Sequence, residues 1–285
     1  MEIDLLSPAA SQAIAHVAAR SSGPPIDSTL RISVHFHPDR YHGGKPLLDV
    51  LKDEGVLRAQ FETGTSNGGL TAYPGGDRWR WESRIFGSAY DSCHPAERPK
   101  YGALNFRKRS CGGSPRFGSA HFRLTYDALQ RATFCYPDSF FEPVDFGVAA
   151  CMPLIELAET HRGDVLDDYI EAQVHGPLRL DRDVEALVLD PCFEGTDLDA
   201  RARNLPCALE WHSGFEARTE DILANPEYRG AEIAALCRTL APEGKLNAAM
   251  IGEASASGRY DSQSLKRAWH CVARFGSQEA WEASA

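Results

Sequence analysis

The sequence predicts an α+β protein, a strand-rich body followed by a mainly helical C-terminal extension. Three observations carry this reading. Short stretches of alternating apolar and polar residues recur between residues 30 and 189. Helical spacing dominates the last third, where Ile233, Leu236, Cys237 and Leu240 fall at i, i+3, i+4 and i+7, as do Leu265, Ala268, Trp269 and Val272. The regular strand–helix alternation of a (β/α) barrel is missing. At 285 residues the chain can bury roughly 75% of its unfolded surface, so a full core is available.

The elements follow in order. Ser7-Pro8 is a good N-cap and first helical position, and Ile14, Val17 and Ala18 continue at helical spacing until Gly23-Pro24-Pro25 ends the helix. Residues 30–37 predict a strand with Leu30, Ile32, Val34 and Phe36 on one face and Arg31, Ser33, His35 and His37 on the other. A helix over 46–54 is expected from Leu47, Val50 and Leu51, with Gly55 as its stop. Residues 62–78 are glycine-rich and loop-like. A short helix around 78–90 carries Trp79, Trp81 and Phe86, a strand is expected at 101–106, and 110–118 is a second glycine-rich turn. Strands at 121–124 and 132–136 flank a short segment at 126–131. In residues 169–176, Glu171, Gln173 and His175 alternate with Ile170, Ala172 and Val174, the pattern of a half-buried strand with three polar groups on one face. A buried strand at 184–189 ends at Asp190-Pro191, and one more strand-like stretch, 207–212, precedes the helices. The expected division is an N-terminal helix (1–27), a catalytic body (28–200) and a helical extension (201–285).

Composition is ordinary for a globular protein, 43% hydrophobic and 25% charged. A net charge of −10 argues against generic nucleic-acid binding, which wants a basic surface. No apolar run approaches the roughly 20 residues of a membrane-spanning helix. The eight scattered cysteines, with no CxxC, read as reduced thiols. The opening Met-Glu-Ile-Asp lacks a secretory signal, so a cytoplasmic location, or export without a classical signal peptide, is expected.

Three features could carry chemistry, and each also has a plain structural reading. His35 and His37 could contact a ligand or simply end a strand. The segment Glu62-Thr63-Gly64-Thr65-Ser66-Asn67 offers hydroxyls and backbone amides suited to a ribose, phosphate or carboxamide, or it is a solvent loop. Glu171 on a rigid strand is well placed to face a developing cation, or it is a solvated glutamate. Trp79, Trp81 and Trp269 read as packing, and Arg107-Lys108-Arg109 as a solvated loop.

In their order along the chain these features resemble the NAD-dependent ADP-ribosyltransferase superfamily. The resemblance covers about residues 28–190 and is one of order and residue type. It rests on the His37 strand followed by the 41–45 turn and the 46–54 helix, on Tyr101-Gly102-Ala103-Leu104-Asn105, on Gly118-Ser119-Ala120-His121-Phe122-Arg123-Leu124, and on Glu171 followed by the apolar 184–189 strand. Two departures stand beside it. Tyr169 occupies the place, two residues before the catalytic glutamate, where many members have Glu or Gln, and Gly64-Thr65-Ser66-Asn67 lies early for a Ser-Thr-Ser motif. The chain as a whole also looks like an uncharacterised bacterial domain family (DUF3626-like) that carries Glu-Ala-Gln-Val-His-Gly.

The resemblance implies an ADP-ribosyltransferase-like split mixed or antiparallel sheet. It also implies transfer of ADP-ribose from NAD, as substrate, to a macromolecular acceptor such as a protein, with release of nicotinamide, and the role of a bacterial toxin or effector. Glu171 would then be catalytic. His37, Arg40, Thr65, Ser66, Asn67, Tyr101, Gly102 and Gln173 would bind NAD, and no metal would be needed. The rival reading is a metal-dependent hydrolase using His35-Phe36-His37, with His121, His175, His212, Asp190 and Glu171 available as further ligands.

Overall fold

The computed structural model describes residues 6–64, 71–160 and 162–277. It is an α+β protein with one mixed eight-stranded sheet and, among the described residues, eleven α-helices. The strands are β1 (Ile32–Phe36), β2 (Lys100–Leu104), β3 (Ala120–Leu124), β4 (Ala132–Tyr136), β5 (Asp145–Val148), β6 (Ile170–Val174), β7 (Val184–Leu189) and β8 (Ala208–Trp211). Their order in the sheet is β8-β7-β3-β1-β2-β6-β4-β5. The β1–β2, β2–β6, β6–β4 and β4–β5 pairs are antiparallel, and β7–β8 is parallel.

Two compact units divide the chain, each built from three segments: 1–34, 55–108 and 123–185 in the first, and 35–54, 109–122 and 186–285 in the second. These boundaries do not coincide with a linear division at 27 and 200. The helical C-terminal stretch belongs to the second unit together with two earlier segments.

In the first unit, helix α1 (Pro8–Ala18) begins where the Ser7 hydroxyl accepts the Ala10 amide at 3.2 Å, with proline in the first turn. It buries Ala10, Ala13 and Val17 along one stripe. Helix α3 (Asp77–Ile85) starts where Thr71 Oγ1 accepts the Asp77 amide at 2.8 Å. It stops five residues short of the expected 90 because Gly87 (φ 58) and Ser88 (φ 63) adopt left-handed backbone that a helix cannot continue through. The two helices pack Trp81 and Ile85 with Ala10, Ala13 and Val17 against Cys135, Phe146 and Val148 of the sheet. Strand β5 was not expected. It is only four residues long and contains Gly147, so its alternation is too short to stand out.

The second unit holds helices α2 (Leu47–Glu54), α4 (Ala231–Leu240), α5 (Ala248–Ala256) and α6 (Ser262–Phe275). Helix α6 is capped by Asp261, whose Oδ2 accepts the Ser264 amide at 2.8 Å, and buries Leu265, Ala268, Trp269 and Val272 as its spacing predicts. Gly118 is fixed by a close approach: a Cβ there would overlap the backbone carbonyl of Phe36. We expect Gly118→Ala to lower stability by about 1–3 kcal/mol through forced backbone displacement, measured by denaturant unfolding. A variant as stable as wild type would show that this approach is loose.

Candidate functional site

Strand β6 carries Glu171 and Gln173 at the centre of the first unit's antiparallel strands. Its register sets Tyr101 opposite Gln173 and Ala103 opposite Glu171 on β2, and Thr133 opposite Gln173 and Cys135 opposite Glu171 on β4. Directly opposed residues share a face, so Tyr101, Glu171, Gln173, Thr133 and Cys135 lie on one side of the sheet. All five residues of β6 are buried, which corrects the half-buried expectation. The polar face meets helix α3 instead of water, and its polar groups are satisfied from within.

Those contacts form a directed chain. Thr133 Oγ1 donates to Gln173 Oε1 at 2.8 Å, so its single proton is committed and it must accept from His175 Nε2 at 3.0 Å. His175 therefore carries its proton on Nε2, and Nδ1 accepts from the Tyr90 hydroxyl at 2.8 Å. The oriented Gln173 amide donates through Nε2 to Glu171 Oε1 at 3.0 Å. On the other carboxylate oxygen, Ser139 donates from Oγ at 2.7 Å and from its backbone amide at 3.3 Å. Ser139 Oγ in turn accepts from Arg78 Nη1 at 2.7 Å. Every bond points toward Glu171, so the network favours negative charge there.

Helix α3 contributes the charges. Arg78 Nη1 lies 3.7 Å from Glu171 Oε1, and its guanidinium covers the Tyr101 ring at 4.0 Å. Four residues on, Glu82 accepts from Tyr101 Oη at 2.8 Å and from Arg98 Nη1 at 2.6 Å, with its side chain wholly buried. Burial pushes the carboxyls of Glu171 and Glu82 up. Arg78, Ser139 and Gln173 pull Glu171 back down, and Arg98, Tyr101 and Arg78 do the same for Glu82. One donor is left over: Arg78 Nε is buried and has no acceptor among the described residues. Sequence reasoning missed Arg78 and Glu82. Their signal was the i, i+4 spacing on the same helix as buried Trp81 and Ile85, which puts two opposite charges on the core side.

The expected NAD-binding residues are distributed as follows. Tyr101 and Gln173 join Glu171 on its face. Gly102 sits mid-strand opposite Ala172, where a Cβ would stand 2.8 Å from the Ser33 carbonyl oxygen, so close strand packing accounts for the glycine. His37 and Arg40 belong to the second unit, where the His37 ring meets Trp269 edge-on at 5.1 Å and Arg40 Nη1 bonds Ser255 Oγ. Thr65, Ser66 and Asn67 lie outside the described residues. Arg107, read as part of a solvated loop, is instead bound to the buried Asp168 at 2.7 Å.

The His-x-His reading loses its first ligand to the backbone. His35 Nδ1 donates to the Gly118 carbonyl at 3.2 Å and Nε2 accepts from the Ser114 amide at 3.2 Å, so both ring nitrogens are engaged. His212 is engaged in the same way, donating to the Ser119 carbonyl at 2.8 Å and accepting from the Gly214 amide at 2.9 Å. Among the described residues no three His, Cys, Asp or Glu side chains are grouped to hold a metal ion.

Burial holds His35 and His175 down to about 3. Because the folded values lie below the ordinary value of 6.5, the stability these neutral rings confer is fully present above pH 6.5 and is lost as pH falls toward 3. Each ring loses on the order of 5 kcal/mol across that window. The raised carboxyls of Glu82 and Glu171 act with the opposite sign, stabilising at low pH. Proton NMR of the folded protein isolates the imidazoles: neither His35 nor His175 should titrate between about pH 8 and 5, and a midpoint near 6.5 for either would contradict the buried, bonded arrangement.

A family model described as "Protein of unknown function (DUF3626)" matches residues 31–159 and 148–275, most of the chain. The chain belongs to the DUF3626 family. Both stretches of the family match include elements of this site: β2, β4 and Arg78 fall in the first, and Glu171, Gln173 and His175 in the second. No curated protein matches the chain. No described helix is long and apolar enough to cross a membrane.

Proposed function

We propose that the chain is an NAD-dependent ADP-ribosyltransferase with Glu171 as its catalytic carboxylate. The observation that carries this reading is the set of groups around that carboxylate. Glu171 is held on a central strand by Gln173 and Ser139, and Tyr101 lies on the same face of the adjoining strand. The leftover Arg78 Nε–H points to a polar ligand group in the same place. The Glu171 side chain keeps 9% exposure and Tyr101 is half-buried, and this reading requires a ligand to reach both from that exposed side.

The chemistry follows from the carboxylate. Cleavage of the bond from the ribose C1′ to nicotinamide passes through an oxocarbenium-like state, as in glycoside hydrolysis. Glu171 accepts a hydrogen bond from the ribose 2′-hydroxyl and stabilises the growing positive charge. Gln173 and Ser139 keep the carboxylate in one orientation, so no reorganisation is needed at the moment of reaction. Tyr101, already covered by Arg78 on one side, offers its remaining ring surface to nicotinamide.

A macromolecular acceptor is favoured by the turn that supplies Ser139. Next to that residue, Phe140 and Phe141 are exposed, and Val144 is 79% exposed. Exposed aromatic side chains beside a site are typical anchors for a partner surface. We expect Phe140→Ser combined with Phe141→Ser to reduce acceptor labelling at least tenfold while leaving NAD hydrolysis within about twofold; equal loss of both activities would remove the acceptor role from this turn. The transferase reading itself is tested by incubating the protein with NAD carrying labelled adenine. Neither binding nor consumption of NAD would end it.

A further inference from the structure

Tyr90 and His175 take no direct part in the chemistry proposed for Glu171, yet both lie wholly buried at the far end of its hydrogen-bonded chain. The Tyr90 hydroxyl donates to His175 Nδ1 at 2.8 Å and makes no other hydrogen bond among the described residues. Its ring stacks on the imidazole at 5.9 Å and meets Phe86 edge-on at 5.6 Å, and Phe86 meets His175 edge-on at 5.1 Å. Close packing of the three rings holds the imidazole in one orientation.

Four links join Tyr90 to the carboxylate: Tyr90 to His175, His175 to Thr133, Thr133 to Gln173 and Gln173 to Glu171, at 2.8, 3.0, 2.8 and 3.0 Å. Each of the three middle side chains uses one donor and one acceptor along this path, so reversing one link reverses the others. The direction has an anchor at each end. An ionised carboxylate only accepts, so Gln173 presents Nε2 to Glu171, and the same nitrogen reaches Cys135 Sγ at 3.4 Å. At the other end, the Tyr90 proton has Nδ1 as its acceptor. A reversed chain sets Gln173 Oε1 against Glu171 Oε1, which suits only a protonated carboxyl, and it strands the buried Tyr90 proton.

We propose that Tyr90 and His175 are positioning residues, which fix the direction of the Gln173 amide and through it the hydrogen bonding of the Glu171 carboxylate. Their part in a reaction rests on Glu171 being the reacting carboxylate, as proposed above; the orientation that they impose does not. The other groups around Glu171 are Arg78 of α3, Tyr101 of β2, Cys135 of β4, and Asp138 and Ser139 of the turn before β5. Around His175, Arg131 Nη1 bonds its carbonyl oxygen, and Lys100 Nζ bonds the Gly176 carbonyl at 3.3 Å. None of these groups is altered by a change at Tyr90 or Thr133, so an effect on Glu171 must travel along the chain.

NMR tests this without any ligand. In wild-type protein, 15N spectra should find His175 neutral and protonated on Nε2 between about pH 6 and 8. Tyr90→Phe keeps the ring and removes the far anchor, so the reversed, protonated arrangement is less penalised. The 13C carboxyl midpoint of Glu171 should then rise by at least about half a pH unit. Thr133→Val, which cuts the chain, should raise it too, and Thr133→Ser, which restores a hydroxyl, should return it toward the wild-type value. With NAD, Tyr90→Phe should lower kcat about threefold to tenfold and leave KM within about twofold, because Tyr90 touches no substrate. Thermal unfolding identifies the variants that fold. A wild-type His175 protonated on Nδ1 overturns the proposal, as does an unchanged Glu171 midpoint in every folded Tyr90→Phe or Thr133→Val variant. A protein that leaves NAD untouched ends the transferase reading, whereas the two NMR results alone decide the positioning role.

Discussion

Glu171→Gln should lower NAD consumption by on the order of a hundredfold or more while leaving the fold in place. Losing a preorganised charge interaction of this kind typically costs about 3–4 kcal/mol of transition-state stabilisation. The substitution keeps the side chain's size but reverses part of its hydrogen bonding. A neutral amide presents an N–H₂ either to the Gln173 amide or to the Ser139 donors, both of which now point at carboxylate oxygens. A modest loss of stability should therefore accompany the loss of rate, and circular dichroism with thermal unfolding separates the two. The wild-type rate should also fall with acidification sooner than an ordinary glutamate would dictate, because burial raises the Glu171 carboxyl and the ionised form is the active one. A variant that consumes NAD at the wild-type rate would leave Glu171 a purely structural residue.

The second large effect concerns stability. Glu82→Ala should cost about 3–5 kcal/mol in denaturant unfolding, the usual penalty for stranding one member of a buried ion pair. Arg98 would lose its 2.6 Å partner while its own side chain stays buried, and the Tyr101 hydroxyl would lose its acceptor. Among the described residues Arg98 would keep its bond to the Tyr90 carbonyl at 2.8 Å and its stacking over Phe61 at 4.2 Å. Combining Glu82→Leu with Arg98→Met should recover much of the loss, because apolar replacement of both partners removes the uncompensated charge. A single-variant loss below about 1 kcal/mol would mean that water reaches the pair.

Strand positions were legible because alternation reports burial directly. Residues 132–136 and 184–189 are strands with the expected limits, and β1, β2, β3, β6 and β8 differ by one or two residues at their ends. The 101–106 stretch ends at Leu104 because Asn105 begins a turn closed by the Lys108 amide at 3.1 Å, with Lys108 in left-handed backbone. Neither the β5 edge strand nor Leu154–Glu159 could be read, since four to six residues carry too little periodicity to separate helix from strand.

The site was half legible. Alternation alone put Glu171, Gln173 and His175 on one face. It could not say what covers that face, because the cover comes from a helix about ninety residues earlier in the chain. Arg78 and Glu82 are ordinary surface-type residues until the fold turns them inward, and Ser139 comes from a turn with no motif. The histidines show the same limit. His35 and His37 look like a metal pair in the sequence, yet the backbone amide and carbonyl that engage His35 belong to Ser114 and Gly118, which no local pattern connects to β1.

By itself, then, the sequence determined the α+β class, most strands, the amphipathic helices after residue 230 and the common face of Glu171 and Gln173, all of which follow from the spacing of apolar residues along a few turns or pleats. The tertiary structure alone decided the direction of the hydrogen bonds on Glu171, the roof of Arg78 and Glu82 over it, and the engagement of His35. Those depend on which distant segments meet, and on which donors and acceptors burial then forces to pair.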